Sequence, residues 1–210
     1  MKSPIFFDLD GTLTDPKIGI TKSIQFALQR LNIEVPEVDE LVWCIGPPLQ
    51  TSFETLVGKE LSSQAIELYR ERFSAVGWSE NIPYQGIAQV LDNLCDLQIP
   101  LYVATSKPHQ FARRILEHFK LSQYFCGVFG AELDGANSQK TELLKYALAE
   151  TFSPADSTMI GDREHDIIGA QNNGMNTIGV TYGYGSYAEL QAVGAQRIVN
   201  APAEILEFFR

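Results

Sequence analysis

Asp8-Leu9-Asp10-Gly11-Thr12 places two carboxylates two residues apart, directly after the apolar run Ile5-Phe6-Phe7. Close like charges raise one another's pKa unless a cation joins them. A hard divalent ion such as Mg²⁺ prefers carboxylate oxygens and keeps open positions for a phosphate group. Gly11 permits a sharp turn and a close backbone approach to a ligand. Thr12 adds a hydroxyl and a backbone N–H for an oxyanion. The bland alternative is an acidic turn or helix cap. A second acidic group lies in Gly161-Asp162-Arg163-Glu164-His165-Asp166, after another apolar run. Asp162 and Asp166 are spaced i and i+4, so an opening helix carries them on one face. Parallel sheets gather ligands at the carboxyl ends of their strands. On that reading Asp8, Asp10, Asp162 and Asp166 converge on one ion. The competing reading of the second group is a solvated helix N-terminus, where acids are favoured.

Two further stretches offer groups for an anion. Thr105-Ser106-Lys107-Pro108 follows a third apolar run. Its hydroxyls suit phosphate oxygens, aided by N–H groups opening the next helix, or else simple N-capping. Pro108 suits the first turn of that helix. Lys140 opens a later helical stretch and supplies the cation that an acidic cluster plus phosphate requires. Lys145 is its rival, although a solvated lysine fits that position equally well. His109, His118 and His165 lack zinc-ligand spacing, and His165 reads as solvated.

The elements that must position these residues follow from periodicity. Ile5–Phe7, Leu101–Ala104, Gly127–Phe129, Thr158–Ile160, Thr177–Val180 and Arg197–Val199 read as short buried strands. Helical spacing appears in 87–97, in Phe111, Ile115 and Phe119, and in Leu143, Leu144, Ala147 and Leu148. It appears again in 166–173 and 203–209. Strands alternating with helices predict an α/β fold with a parallel sheet covered by helices on both faces. Residues 16–81 break this pattern. They contain no convincing strand and two amphipathic helices, one through Ile20, Ile24, Ala27, Leu28 and Leu31. The other runs through Ala65, Leu68, Tyr69 and Phe73, with Ser62 or Ser63 as its N-cap. The expectation is a catalytic core of residues 1–15 and 82–210, with a small all-helical module inserted between its parts.

Bulk properties exclude several function classes. The chain has 210 residues, 45% of them hydrophobic, enough for a sizeable core. Its net charge of −10 and lack of a dense basic run argue against a nucleic-acid partner. An acidic protein must also attract an anionic substrate through local cations. Three cysteines, Cys44, Cys95 and Cys126, cannot all pair and read as buried, reduced thiols. No apolar run reaches the ~20 residues of a membrane span. The expected setting is the cytoplasm, as a monomer or homodimer without membrane partners.

Four motifs in order, DLDGT from Asp8, Thr105-Ser106, Lys140 and GDREHD from Gly161, resemble the haloacid dehalogenase superfamily. The resemblance is specifically to the phosphoglycolate phosphatase-like branch and covers essentially the whole chain. Tyr84-Gln85-Gly86 and Glu132-Leu133-Asp134-Gly135 also resemble that branch. The resemblance implies a Rossmann-like core with a helical cap at 16–81. It implies a Mg²⁺-dependent phosphatase for small phosphate monoesters. Asp8 is then the nucleophile and Asp10 the general acid/base. Thr105 or Ser106 holds the phosphoryl oxygens together with Gly11 and Thr12, and Lys140 steadies the nucleophile. Asp8, the Asp10 backbone carbonyl, Asp162 and Asp166 hold the metal. Asp10 argues against dehalogenation, which needs no such acid. Ile45-Gly46-Pro47-Pro48-Leu49 resembles the substrate-facing loop of the cap. Thr14 departs from the family's usual aliphatic residue. A phosphomutase and a non-catalytic binding protein are the competing functions.

Overall fold

The computed structural model describes residues 2–149 and 154–209. They divide into two compact units, Met1–Asp15 with Pro83–Arg210, and Pro16–Ile82. In chain order the elements are β1 (Ile5–Phe7), β2 (Thr14–Asp15), α1 (Lys17–Arg30), α2 (Leu49–Ala75), β3 (Ile82–Pro83) and α3 (Ile87–Asp96). They continue with β4 (Leu101–Pro108), α4 (His109–His118), β5 (Gly127–Ala131), α5 (Lys140–Ala149) and β6 (Thr158–Gly161). Then come α6 (Glu164–Asn172), β7 (Asn176–Val180), α7 (Tyr187–Ala192) and β8 (Arg197–Val199).

In the first unit, six strands form one sheet in the order β5-β4-β1-β6-β7-β8. Every pairing in it is parallel. β1 sits inside the sheet between β4 and β6, with Phe7 opposite Val103 and Ile160. Ile5, Phe6 and Phe7 are all fully buried. Successive strand side chains point to opposite faces, so both faces of β1 are covered. On one face Phe6 packs with Leu143, Leu144, Met159 and Ala170 of α5, β6 and α6. Its ring stacks on Tyr102 at 5.1 Å. On the other, Phe7 meets Phe125 edge-on. Burying such aromatic and aliphatic side chains contributes about 1.5–3 kcal/mol each. The strand that carries Asp8 at its end is therefore firmly held.

Several elements differ from the sequence reading. β4 extends past Ala104 to Pro108, and its register with β5 shifts between Thr105 and Pro108. The Thr105 hydroxyl accepts the Lys107 N–H at 3.2 Å, so the chain turns within the strand rather than opening the helix. Pro108 consequently stands at the N-cap of α4 and not in its first turn. Residues 202–208 form a 3-10 helix, started by Pro202. Among the cysteines only Cys44 is buried; Cys95 is half-buried and Cys126 exposed, all three free. Cys95 lies in the last turn of α3, and Cys126 lies in the turn before β5.

The second unit is built on α1 and α2. Ile20, Ile24, Ala27 and Leu28 form the buried stripe of α1, and Phe53, Tyr69 and Phe73 that of α2. Tyr69 stacks on Phe73 at 5.3 Å. Arg72 donates to both carboxylate oxygens of Glu80, at 2.8 and 3.1 Å, and to Ser23 at 3.2 Å. Ser62 and Ser63 cap no helix. α2 starts at Leu49 and is interrupted instead at Gly58, with φ of 79°. The Ser62 hydroxyl donates to Lys59 O and accepts from Gln50. The 45–49 segment links a 3-10 turn (38–44) to α2, with Gly46 at φ 105°. Among the described residues no helix is long and apolar enough to cross a membrane.

Candidate active site

Asp8 leaves the end of β1 with its backbone N–H on Ile160 O at 2.9 Å. The chain then folds back in a tight loop in which Leu13 and Thr14 N–H donate to Leu9 O. Gly11 turns that loop with φ of 86°, and a Cβ on it would strike the Asp162 carboxylate at 2.2 Å. Glycine is thus required twice, by conformation and by room. This approach brings the strand-end loops of β1 and β6 together.

One oxygen from each of Asp8, Asp162 and Asp166 lies within 4.8 Å of the others, and all three residues are buried. Lys140, at the start of α5, points into the same place with a side chain only 4% exposed. Its ammonium is 3.0 Å from Asp8 Oδ1 and 2.7 Å from Asp166 Oδ1, and it donates to Ala104 O at 2.8 Å. Lys145 is exposed on the far side of that helix. The Asp10 carboxylate stands outside the three-acid group. Its Oδ2 is 2.5 Å from the buried Lys107 ammonium, while its Oδ1 is buried without a hydrogen-bond partner. Of the expected metal donors, the Asp10 carboxylate is therefore the one that does not join the group.

The remaining expected residues are placed as follows. Thr12 is fully buried, and its hydroxyl has no hydrogen-bond partner. Thr105 is buried at the end of β4, with Ser106 half-buried beside it. Neither caps a helix, since α4 begins at His109. His165 is half-buried. His109 Nε2 lies 3.3 Å from Glu132 Oε2.

Charges at the site are held away from their solution behaviour. Burial pushes the Asp162 carboxyl well above its ordinary value, and the Asp166 and Asp8 charges push it further. Burial also raises Asp166, against the pull of Lys140. For Lys140 burial opposes the charged form, but Asp166 and Asp8 outweigh it and the net shift is upward. Burial raises Asp10, and Lys107 only partly offsets this. Three buried acids sharing one lysine have too little positive charge between them. Asp162 Oδ1 has no hydrogen-bond partner although it is buried. A compact, oxygen-only donor set with an unsatisfied anionic atom fits Mg²⁺.

Sequence reasoning missed a whole segment of this site. The loop Tyr182-Gly183-Tyr184-Gly185 after β7 lies against both acidic motifs. Tyr184 N–H donates to Asp162 Oδ2 at 2.8 Å, and its hydroxyl donates to Asp15. Tyr182 hydroxyl donates to Thr12 O at 3.1 Å. Tyr84 packs edge-on against Tyr182 at 5.0 Å. Burial keeps the Tyr182 and Tyr184 phenols un-ionised, with Asp162 adding to this at the first and Asp15 at the second. The dense Tyr/Gly alternation at a strand end was the available signal. Lys107 was visible in its motif but had no assigned partner.

A parallel α/β sheet whose strand ends present DLDGT, a Thr-Ser pair and GDREHD, with a buried lysine reaching in from a helix start, defines a family of hydrolases. The chain belongs to the haloacid dehalogenase-like hydrolases, whose family model matches residues 5–180. A 5'-nucleotidase of Pseudomonas aeruginosa is 47% identical over 191 residues, 90% of this chain and 86% of the relative. The tyrosine-protein kinase PtkA of Mycobacterium tuberculosis is 41% identical over 182 residues, 86% of this chain and 62% of the relative. A phosphoglycolate phosphatase of Photobacterium profundum is 26% identical over 219 residues, 97% of this chain and 93% of the relative. The crystal structure of a predicted phosphatase from Clostridium acetobutylicum superposes with a TM-score of 0.95. It is 45% identical, and the match covers 100% of this chain and 99% of that one.

Proposed function

We propose that the chain is a Mg²⁺-dependent phosphatase for small phosphate monoesters, with nucleoside monophosphates as the preferred class. The observation that carries the reading is the convergence of Asp8, Asp162 and Asp166 around the buried Lys140 ammonium. The preference for nucleotides rests on the 47% identity to the nucleotidase, against 26% to the phosphoglycolate phosphatase.

Asp8 is the nucleophile. A carboxylate oxygen forms a bond to phosphorus as the ester P–O bond breaks. Asp10 gives a proton to the departing alkoxide, then removes one from the water that hydrolyses the aspartyl phosphate. Lys140 fixes Asp8 and offsets charge on the transferring group. Thr105 and Ser106 offer hydroxyls to the phosphoryl oxygens; the Gly11 and Thr12 N–H groups, expected from the sequence to share this task, are instead engaged within the loop, on Thr14 O at 2.8 Å and Leu9 O at 3.3 Å. Mg²⁺ held by Asp8, Asp162, Asp166 and the Asp10 carbonyl would supply the positive charge that lets an anionic nucleophile meet an anionic ester. The chain's own residues otherwise do the positioning that phosphoryl transfer needs.

The test is phosphate release from a panel of nucleoside monophosphates and other phosphorylated metabolites with Mg²⁺, with Asp8→Asn as control. Release that disappears in the variant and in EDTA supports the reading. Turnover without free phosphate would overturn it. That outcome would favour a mutase, or transfer to a protein tyrosine as the likeness to PtkA raises.

A further inference from the structure

We propose that Lys107 is the positioning residue for the Asp10 carboxyl group, orienting it to deliver its proton to the leaving alcohol. The inference rests on the reading of Asp10 as general acid/base. The Lys107 side chain is only 6% exposed. A buried ammonium is unfavourable unless it is closely paired. Its Nζ lies 2.5 Å from Asp10 Oδ2, and Asp10 Oδ1 has no hydrogen-bond partner, so this contact dominates the orientation of the carboxyl group.

The backbone is shaped to put the ammonium there. The Lys107 N–H is tied to Thr105 Oγ1, and the β4–β5 register shifts between Thr105 and Pro108. From β5, Gly130 allows the segment to press close: a Cβ there would stand 2.7 Å from the Lys107 carbonyl oxygen. The two buried lysines divide the acidic cluster, Lys140 taking Asp8 and Asp166, and Lys107 taking Asp10.

A residue acting through a general acid has a signature that a structural residue lacks. An alkyl phosphate needs a proton on its leaving oxygen, whereas p-nitrophenyl phosphate expels a stable phenolate without one. The parameter kcat/KM reports steps up to the first bond cleavage. We would measure it for Lys107→Met, Lys107→Arg and Asp10→Asn on an alkyl phosphate and on p-nitrophenyl phosphate, with Mg²⁺ present. Thermal melts would confirm that each variant folds. For the alkyl ester Lys107→Met should lose about 10²-fold, the lower end of general-acid effects. For the aryl ester the loss should be within about threefold, and Lys107→Arg should recover most of the alkyl-ester rate. Equal losses on the two esters in Lys107→Met, with the expected selectivity in Asp10→Asn, would overturn the inference alone. Equal losses in Asp10→Asn would remove the general-acid reading of Asp10, and the inference with it.

Discussion

Asp162→Asn should make the metal-free protein more stable while removing its response to Mg²⁺. Asp162 is fully buried, and its Oδ2 accepts the Tyr184 N–H, which an asparagine oxygen can also accept. Its neighbours Asp8 and Asp166 offer oxygens within 4.8 Å. At that separation each like-charge pair repels by roughly 3.5 kcal/mol for an effective dielectric near 20. Lys140 contacts Asp8 and Asp166 and so offsets part of this. Allowing for that and for relaxation, the isosteric neutral side chain should add about 1–3 kcal/mol. In a chain of this size that is a rise in Tm of roughly 2–12 °C. Mg²⁺ at 100 times its dissociation constant should stabilise the natural chain by about 2.7 kcal/mol and the variant far less. Calorimetry or dye-based melting in EDTA and in Mg²⁺, at mildly alkaline pH, reads both effects. If the variant melts at or below the natural chain in EDTA, or gains equally from Mg²⁺, the picture of an underneutralised cation site is wrong. The trade of stability for a charged functional cluster is a common one.

Three further outcomes follow from the same geometry. Gly183→Ala would place a Cβ 2.2 Å from Gly11 O and 2.6 Å from Asp162 Cβ. It should cost about 2 kcal/mol or more as strain and backbone shift. Mg²⁺ titration by calorimetry should show weakened binding, whereas unchanged affinity would mean the 182–185 loop does not hold the site. Burial, opposed slightly by Ser52, raises the Cys44 thiol to about 12. Maleimide under native conditions should therefore modify exposed Cys126 first and Cys44 only on unfolding, as mass spectrometry of labelled peptides would report. Glu189 accepts from Arg163 Nε and Glu164 N–H, each at 2.9 Å. Burial tends to raise its carboxyl, but these donors lower it overall. A depressed folded value gives stability that is present above the ordinary carboxylate range and lost as pH falls through the folded value. Glu189→Gln should thus cost about 1 kcal/mol near neutrality, and less in acid. A pH series of denaturant melts checks this, and a constant difference would contradict it.

Much of the architecture was legible because it rests on local pattern. β1 was readable because Ile5-Phe6-Phe7 is a continuous apolar run ending on charge, the mark of a strand buried on both faces. The helical spacing of 87–97 and the apolar pairs in 143–148 exposed the covering layers. Three of the four motifs could be assigned to strand ends, since a parallel sheet leaves its ligand-facing loops there, and Lys140 to the start of a helix. Lys140 could be distinguished from Lys145 only by the motif order that carries the family resemblance.

Other features depend on which strands become neighbours. The pairing of Asp10 with Lys107 spans 97 positions and follows from β4 lying next to β1. The 182–185 loop reaches Asp162 because β7 follows β6 in the sheet, and it reaches Thr12 because β1 flanks β6. The turn inside β4 depends on Thr105 accepting from Lys107 rather than capping a helix, a choice the neighbouring β5 helps to make. By itself the sequence determined which groups are candidates for the chemistry and which elements carry them, through residue type and spacing. Tertiary structure alone decided which charges meet, because burial and distance set the strength of electrostatic coupling and neither is a property of a residue's neighbours in the chain.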